Sequence, residues 1–136
     1  MGGTIKSQFL DRLNTEKIGE NPQRWEIVDH PFRYQSRIYK GVIAVPMGFV
    51  TDFASVPRVP LAYWLTGGCA DEAAVIHDFL YQTHRVGFMK ANRIFLEAMK
   101  AQRIAWWRRQ LMFSAVCVGG ISSYLDGPDR YKVLQK

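Results

Sequence analysis

Apolar residues recur at helical spacing in the second half of the chain and predict three helices. Gly87 separates the first two helices, and Gly119 with Gly120 ends the third. The predicted helices span about 71–84, 89–101 and 104–118.

The spacing also predicts which face of each helix is buried. On the second helix the apolar face comprises Phe88, Ala91, Phe95, Ala98 and Met99. On the third helix the apolar stripe comprises Ile104, Trp107, Leu111, Ala115 and Val118. We therefore predict that Trp107 lies in the core, whereas Trp106 falls outside the stripe and lies at a protein interface.

Residues 25–53 have the β-branched and aromatic character of strands. In "RIYKGVIAVP", Ile43 and Val45 lie on one side of the predicted strand and Val42 and Ala44 on the other. Gly48 then suits a turn that requires positive φ, and "FVTDF" predicts a return strand. Strands followed by helices indicate an α+β fold, with a small N-terminal antiparallel sheet packed on about three C-terminal helices.

Composition bounds the class of protein. The chain has 136 residues, 48% of them apolar, which is enough for one domain with its own core. We predict an N-terminal arm over 1–24, a single domain over 25–125 and a C-terminal tail over 126–136. The weakly polar run over 111–125 is short for a membrane span, so we expect no transmembrane segment.

The formal net charge is +6, but the basic residues are dense only in "RIAWWRR", residues 103–109. A scattered basic surface is typical of solvated side chains, so we expect no nucleic-acid partner. We expect Trp106, Arg108 and Arg109 to form an interface with other proteins. Cys69 and Cys117 suit two free thiols at least as well as one disulfide.

The candidate chemistry lies in "AAVIHDFLYQTH", residues 73–84. His77 is a candidate general base, oriented by Asp52, because imidazole titrates near neutral pH. Asp78 is a candidate ligand for a divalent cation such as Ca²⁺. The alternative is that His77, Asp78 and Tyr81 form a buried polar network that fastens the helix to its neighbours. His84 sits where a cation caps the helix C-terminus.

Two blocks, "VPMGFVTDFASVPR" (45–58) and "AAVIHDFLY" (73–81), resemble a family of unknown function from tailed bacteriophages and prophages, the domain-of-unknown-function family thirteen fifty-three. The resemblance covers roughly residues 25–118. It implies a phage origin, among virion or tail-assembly genes, and brings no settled activity.

The H-D-x-x-Y pattern is also similar to that of phospholipases A2, followed there by a helix with A-D-x-x-F. That similarity implies His77 as the base, Asp78 as the calcium ligand and Tyr81 as a network member. Asn92 stands where the pattern has aspartate. Its neutral amide accepts a hydrogen bond but cannot stabilise an imidazolium by charge, so Asp52 would have to substitute.

Taken together, these features favour a virion or tail-assembly component over an enzyme. Its polar network comprises His77, Asp78, Tyr81 and Asn92, and its partners are other phage proteins. It would be made in the bacterial cytoplasm and reside in the virion. The alternative is a metal-assisted hydrolase, phospholipase A2-like or directed at peptidoglycan, that acts on the host envelope.

Overall fold

The computed structural model of the chain describes residues 6–20, 23–51 and 71–129. In this part of the chain, six strands form two antiparallel three-stranded sheets, with strand orders β1-β4-β5 and β2-β3-β6. The strands are β1 Gln8–Phe9, β2 Thr15–Glu20, β3 Gln23–Ile27, β4 Phe32–Ser36, β5 Gly41–Val45 and β6 Val50–Thr51.

Four helices follow within residues 71–129, three long and one short: α1 Asp71–Thr83, α2 Phe88–Ala101, α3 Trp106–Gly119 and α4 Ile121–Leu125. The α1 helix contacts β5 and β6, and α2 contacts β1 and β4. The α3 helix packs on α2, and α4 contacts both α1 and α3. Strands followed by helices confirm the α+β prediction.

Alternation along the strands buries one face of the first sheet. In β4, Phe32, Tyr34 and Ser36 are buried while Arg33 is exposed. In β5, Ile43 and Val45 are buried and their neighbours are exposed, as predicted. Gly48 has φ of 86°, which confirms the predicted turn.

The presence of two sheets differs from the single sheet predicted. Strands β1 and β2 fall in the predicted arm over 1–24 and pair with β4 and β3 respectively. Between β3 and β4, Asp29 takes φ of 72° and Pro31 fixes the next bend. Asp29 and Pro31 do not continue the hydrogen-bonded pairing of β3, so the chain leaves the second sheet here and enters the first.

Helix α3 departs from the predicted apolar stripe. Its buried residues are Met112 and Val116. Trp107 and Leu111 are each 46% exposed and Val118 is 84% exposed, so the prediction that Trp107 lies in the core is wrong. Ile104, the first residue of the predicted stripe, is buried in the core just before the helix begins. Trp107, Leu111 and Val118 face outward, and a different face of the helix makes the contact with the core.

Candidate polar site between helices α1 and α2

Helix α1 is buried on all sides. The ten consecutive residues from Ala73 to Gln82 are buried, among them His77 and Asp78. A helix at the centre of a domain normally carries only apolar side chains. Polar groups in that position have lost their water and need partners within the protein.

The Asn92 side chain on α2 is the centre of one polar cluster. Its Oδ1 lies 2.9 Å from His77 Nε2 and accepts a hydrogen bond of 2.5 Å from the Tyr81 hydroxyl. Its Nδ2 points to Cys117 Sγ on α3 at 3.8 Å. One amide therefore connects three helices, and both of its polar atoms face a group of the same chain.

The Asn92 contact fixes the tautomer of His77. A carbonyl oxygen only accepts hydrogen bonds, so His77 Nε2 carries the proton and donates it to Asn92 Oδ1. His77 Nδ1 then carries the lone pair. It is buried and has no hydrogen-bond partner among the described residues.

Packing encloses the His77 imidazole. Its ring centroid lies 4.0 Å from that of Tyr81 and 4.5 Å from that of Phe95, and the side chain has no exposed surface. Burial lowers the pKa of His77 to about 4, and the hydrogen bond to Asn92 offsets only part of this effect. His77 is therefore neutral at pH 7.

Asp78 belongs to a second cluster on another side of α1. Its Oδ2 accepts hydrogen bonds from Thr51 Oγ1 at 2.6 Å and from Gln82 Nε2 at 2.9 Å. Consecutive helical residues are rotated by about 100° about the axis. His77 consequently faces α2 while Asp78 faces β6, and the two side chains do not form a dyad.

The far end of α1 is fastened by aromatic packing. His84 has φ of 52°, stacks on the Tyr124 ring at 3.9 Å and contacts the Tyr124 carbonyl oxygen through Nε2. The Tyr124 hydroxyl donates to the carbonyl of Val86 at 3.1 Å. His84 therefore joins α1 to α4, a contact more specific than the predicted helix cap.

The family model described as "Protein of unknown function (DUF1353)" matches residues 25–116. The chain belongs to this family. A search of curated proteins and a search of solved structures found no match. The matched range contains part of β3, all of β4 to β6, α1 and α2, and most of α3. His77, Asp78, Tyr81 and Asn92 therefore lie within the DUF1353 region, and Cys117 directly follows it.

The remaining predicted site residues divide into two groups. Asp52, the predicted partner of His77, lies outside the described residues, as does Cys69. On the surface of α3, Trp106 is 67% exposed and the Arg108 guanidinium lies 5.2 Å from the Trp107 ring. Arg109 is half-buried on the same helix. These residues lie on α3 and are distant in sequence from the polar residues of α1.

A metal site does not emerge from the described residues. Within residues 6–20, 23–51 and 71–129, no three histidine, cysteine, aspartate or glutamate side chains lie close enough together to hold an ion. The Asp78 oxygen that accepts two hydrogen bonds is engaged by neutral donors of the protein. No helix of this part of the chain is both long and apolar enough to cross a membrane.

The sequence predictions missed Glu97, whose carboxylate joins α2 to the first sheet. Its Oε1 accepts hydrogen bonds from Tyr34 at 2.8 Å and Ser36 at 2.7 Å, and its Oε2 accepts one from the Ile38 N–H at 3.1 Å. Burial, reinforced by the Glu97 contact, raises the pKa of Tyr34. Two hydroxyls on the buried face of one strand were the available signal, because both require an acceptor.

Proposed function

We propose that this DUF1353 protein is a structural component of a tailed-bacteriophage particle or of its tail-assembly pathway. In this proposal the histidine–aspartate pair fastens helices and performs no catalysis. The phage context is supported by the resemblance of residues 45–58 and 73–81 to phage and prophage sequences. The structural role is supported by the geometry around His77.

The enclosure of His77 is the observation that carries the proposal. A general base must reach its substrate directly or through one water. The imidazole has no exposed surface and packs between two aromatic rings. With a pKa of about 4 it is also a weak proton acceptor at pH 7. The neighbouring Asn92 amide is neutral, so it supplies no negative charge to stabilise the imidazolium that proton transfer creates.

The outer surface of α3 supports a role in assembly. Trp106 is the most exposed aromatic side chain on this helix, and Arg108 and Arg109 follow it. Exposed tryptophan beside arginine is enriched at protein–protein interfaces. Other virion or tail proteins are therefore the proposed partners, met in the host cytoplasm during assembly and retained in the virion.

A hydrolase acting on the host envelope remains the second candidate, and one observation favours it. His77 Nδ1 carries a lone pair and has no partner among the described residues. That atom would accept the proton of an attacking water, with Asp52 or a divalent cation near Asp78 as helper. The substrate would be phospholipid or peptidoglycan.

The test compares three versions of the phage or prophage that encodes the chain: deletion of the gene, His77→Gln, and His30→Gln as a matched control. His30 lies on the surface loop between β3 and β4, where its Nδ1 contacts the Pro31 carbonyl at 2.9 Å. Particle morphology, content of the protein by mass spectrometry, and infectivity are scored together.

The proposal predicts that deletion yields incomplete or tailless particles. It also predicts that His77→Gln lowers the amount of the protein in the particles, and that infectivity falls in proportion to that amount. His30→Gln is expected to change neither quantity. Complete and infectious particles after deletion would contradict a structural role. Particles that contain normal amounts of the His77→Gln protein but fail to infect would instead support the hydrolase.

A further inference from the structure

Helices α3 and α4 present an apolar stripe to the outside of the domain. Trp107, Leu111 and Ile121 are each 46% exposed, Leu125 is 65% exposed and Val118 is 84% exposed. The opposite face of α3 is the one that is buried, through Met112 and Val116. The stripe is therefore additional to the face that α3 uses to pack on its own domain.

The spacing of the stripe is that of a coiled-coil seam. Its members lie four, three, four, three and four residues apart, the a/d pattern of paired helices. They are Trp107, Leu111, Ser114, Val118, Ile121 and Leu125.

The junction at Gly120 keeps the helical winding. Gly120 has φ of −88° and ψ of −9°, its N–H donates to the Val116 carbonyl at 3.0 Å, and its carbonyl accepts from Tyr124 N–H at 3.0 Å. The seam therefore continues from α3 into α4.

The charged residues at the two ends of the stripe interact unfavourably with the dipoles of the helices that carry them. Arg108 and Arg109 lie in the first turn of α3, which has no acidic residue, and Asp126 follows the last residue of α4. The positive end of a helix dipole disfavours cations and its negative end disfavours anions. An antiparallel second helix with the same sequence would place acidic residues beside the arginines at both ends.

We propose that α3 and α4 pair with the same helices of a second copy of this chain, in antiparallel orientation. A two-fold axis beside Val116 brings Trp107 opposite Leu125 of the other copy and Leu111 opposite Ile121. The small Ser114 then faces Val118, the most exposed apolar side chain of the stripe. Within the two helices the same register places Arg108 of one copy close to the exposed Asp126 of the other.

The apolar area suits a dimer. Large side chains of about 150–250 Å² each, roughly half exposed, give on the order of 600 Å² along the stripe. A standard interface buries about 800 Å² per partner, and the arginine and aspartate rim would supply the remainder. This inference does not rest on the proposed phage role, since self-association is measured on the purified chain alone.

The first experiment measures the mass of the purified full chain by sedimentation equilibrium over a range of concentrations. The unmodified chain is expected to be a dimer, and Val118→Glu is expected to raise the dissociation constant at least about tenfold, because it buries a charge at the seam. The matched control is Val42→Glu on β5, where the valine is 46% exposed on another surface. Circular dichroism checks that both variants remain folded.

The second experiment tests the orientation by exchanging charges. Arg108→Asp alone should weaken the dimer, because it opposes two carboxylates across the interface, and adding Asp126→Arg should restore it.

A chain that is monomeric at every concentration, or that binds only to anionic phospholipid vesicles, would overturn the proposal. So would a dimer that is equally weakened by Val42→Glu and Val118→Glu. Failure of the Arg108→Asp and Asp126→Arg pair to restore association would overturn the antiparallel arrangement.

Discussion

The interior between α1 and α2 is polar where an apolar core is usual, whereas the outer surface of α3 and α4 is apolar where a polar surface is usual. In the interior, Asn92 closes the hydrogen bonds of His77 and Tyr81 within the chain. On the outer surface, Val118 and Leu125 have most of their area exposed. The first region explains how the domain holds together, and the second indicates what the domain meets.

Comparison of the two regions indicates that the polarity of a side chain alone does not mark a functional site. Buried polar groups that are hydrogen-bonded to each other fix the relative positions of helices. Any other packing of the helices would leave a buried donor or acceptor without a partner. Exposed apolar groups lose nothing when a partner covers them and gain the free energy of removing their surface from water.

The largest expected effect comes from removing the acceptor at the centre of the polar interior. Asn92→Leu keeps the number and branching of the side-chain heavy atoms but leaves the donors of His77 and Tyr81 without an acceptor. Each buried unsatisfied group costs about 1–3 kcal/mol, so we expect the free energy of unfolding to fall by about 3–5 kcal/mol. Urea denaturation followed by circular dichroism measures this change.

The control for that substitution is Arg93→Leu, one residue along on the exposed side of α2. We expect it to change the free energy of unfolding by less than about 0.5 kcal/mol. If the two substitutions had equal effects, the Asn92 cluster would not be the fastener that the geometry indicates.

The next effect is a pH dependence from His77, whose pKa is 6.5 unfolded and about 4 in the folded chain. Between these values the unfolded chain binds more protons, so stability is fully present above about pH 6.5 and is lost as pH falls toward 4. The loss is roughly 3 kcal/mol at about 1.4 kcal/mol per pKa unit. His77→Gln should remove this part of the pH dependence when unfolding is measured across the same range.

The last comparison distinguishes the two faces of α3, and the smallest expected effect is that of Leu111→Ala. Met112→Ala should lower the free energy of unfolding by about 2–5 kcal/mol, because Met112 is 3% exposed in the core. Leu111→Ala, one residue earlier, should change it by less than about 0.5 kcal/mol when the chain is dilute enough to be monomeric. If Leu111→Ala lowered the free energy of unfolding more than Met112→Ala, the apolar stripe predicted from the sequence would be the buried face of α3.

The sequence predicted the buried face of α2 well because the burial of α2 follows ordinary helical spacing. It predicted the bounds of α1 but not that α1 is buried on all sides. It misassigned the buried face of α3 because an apolar stripe has the same spacing whether it faces the core or another molecule. The pairing of β1 and β2 was not predicted, since both strands carry mostly polar residues.

The candidate site was predicted only in part. The H-D-x-x-Y pattern and Asn92 identified the members of one cluster. Spacing cannot say that His77 and Asp78 face different neighbours, because that depends on which elements surround α1. The acceptor roles of Glu97 and the donor role of Thr51 depend on contacts between residues distant in sequence, 27 to 63 positions apart.

The most direct test of the structural account is a nuclear magnetic resonance titration of the His77 side chain in the ¹⁵N-labelled chain. The account predicts a neutral imidazole protonated on Nε2 at pH 7, with a slowly exchanging Nε2 proton and titration near pH 4. An imidazole that titrates near or above pH 6.5 and exchanges its proton rapidly with water would contradict it. His77 would then be open to solvent and available as a base.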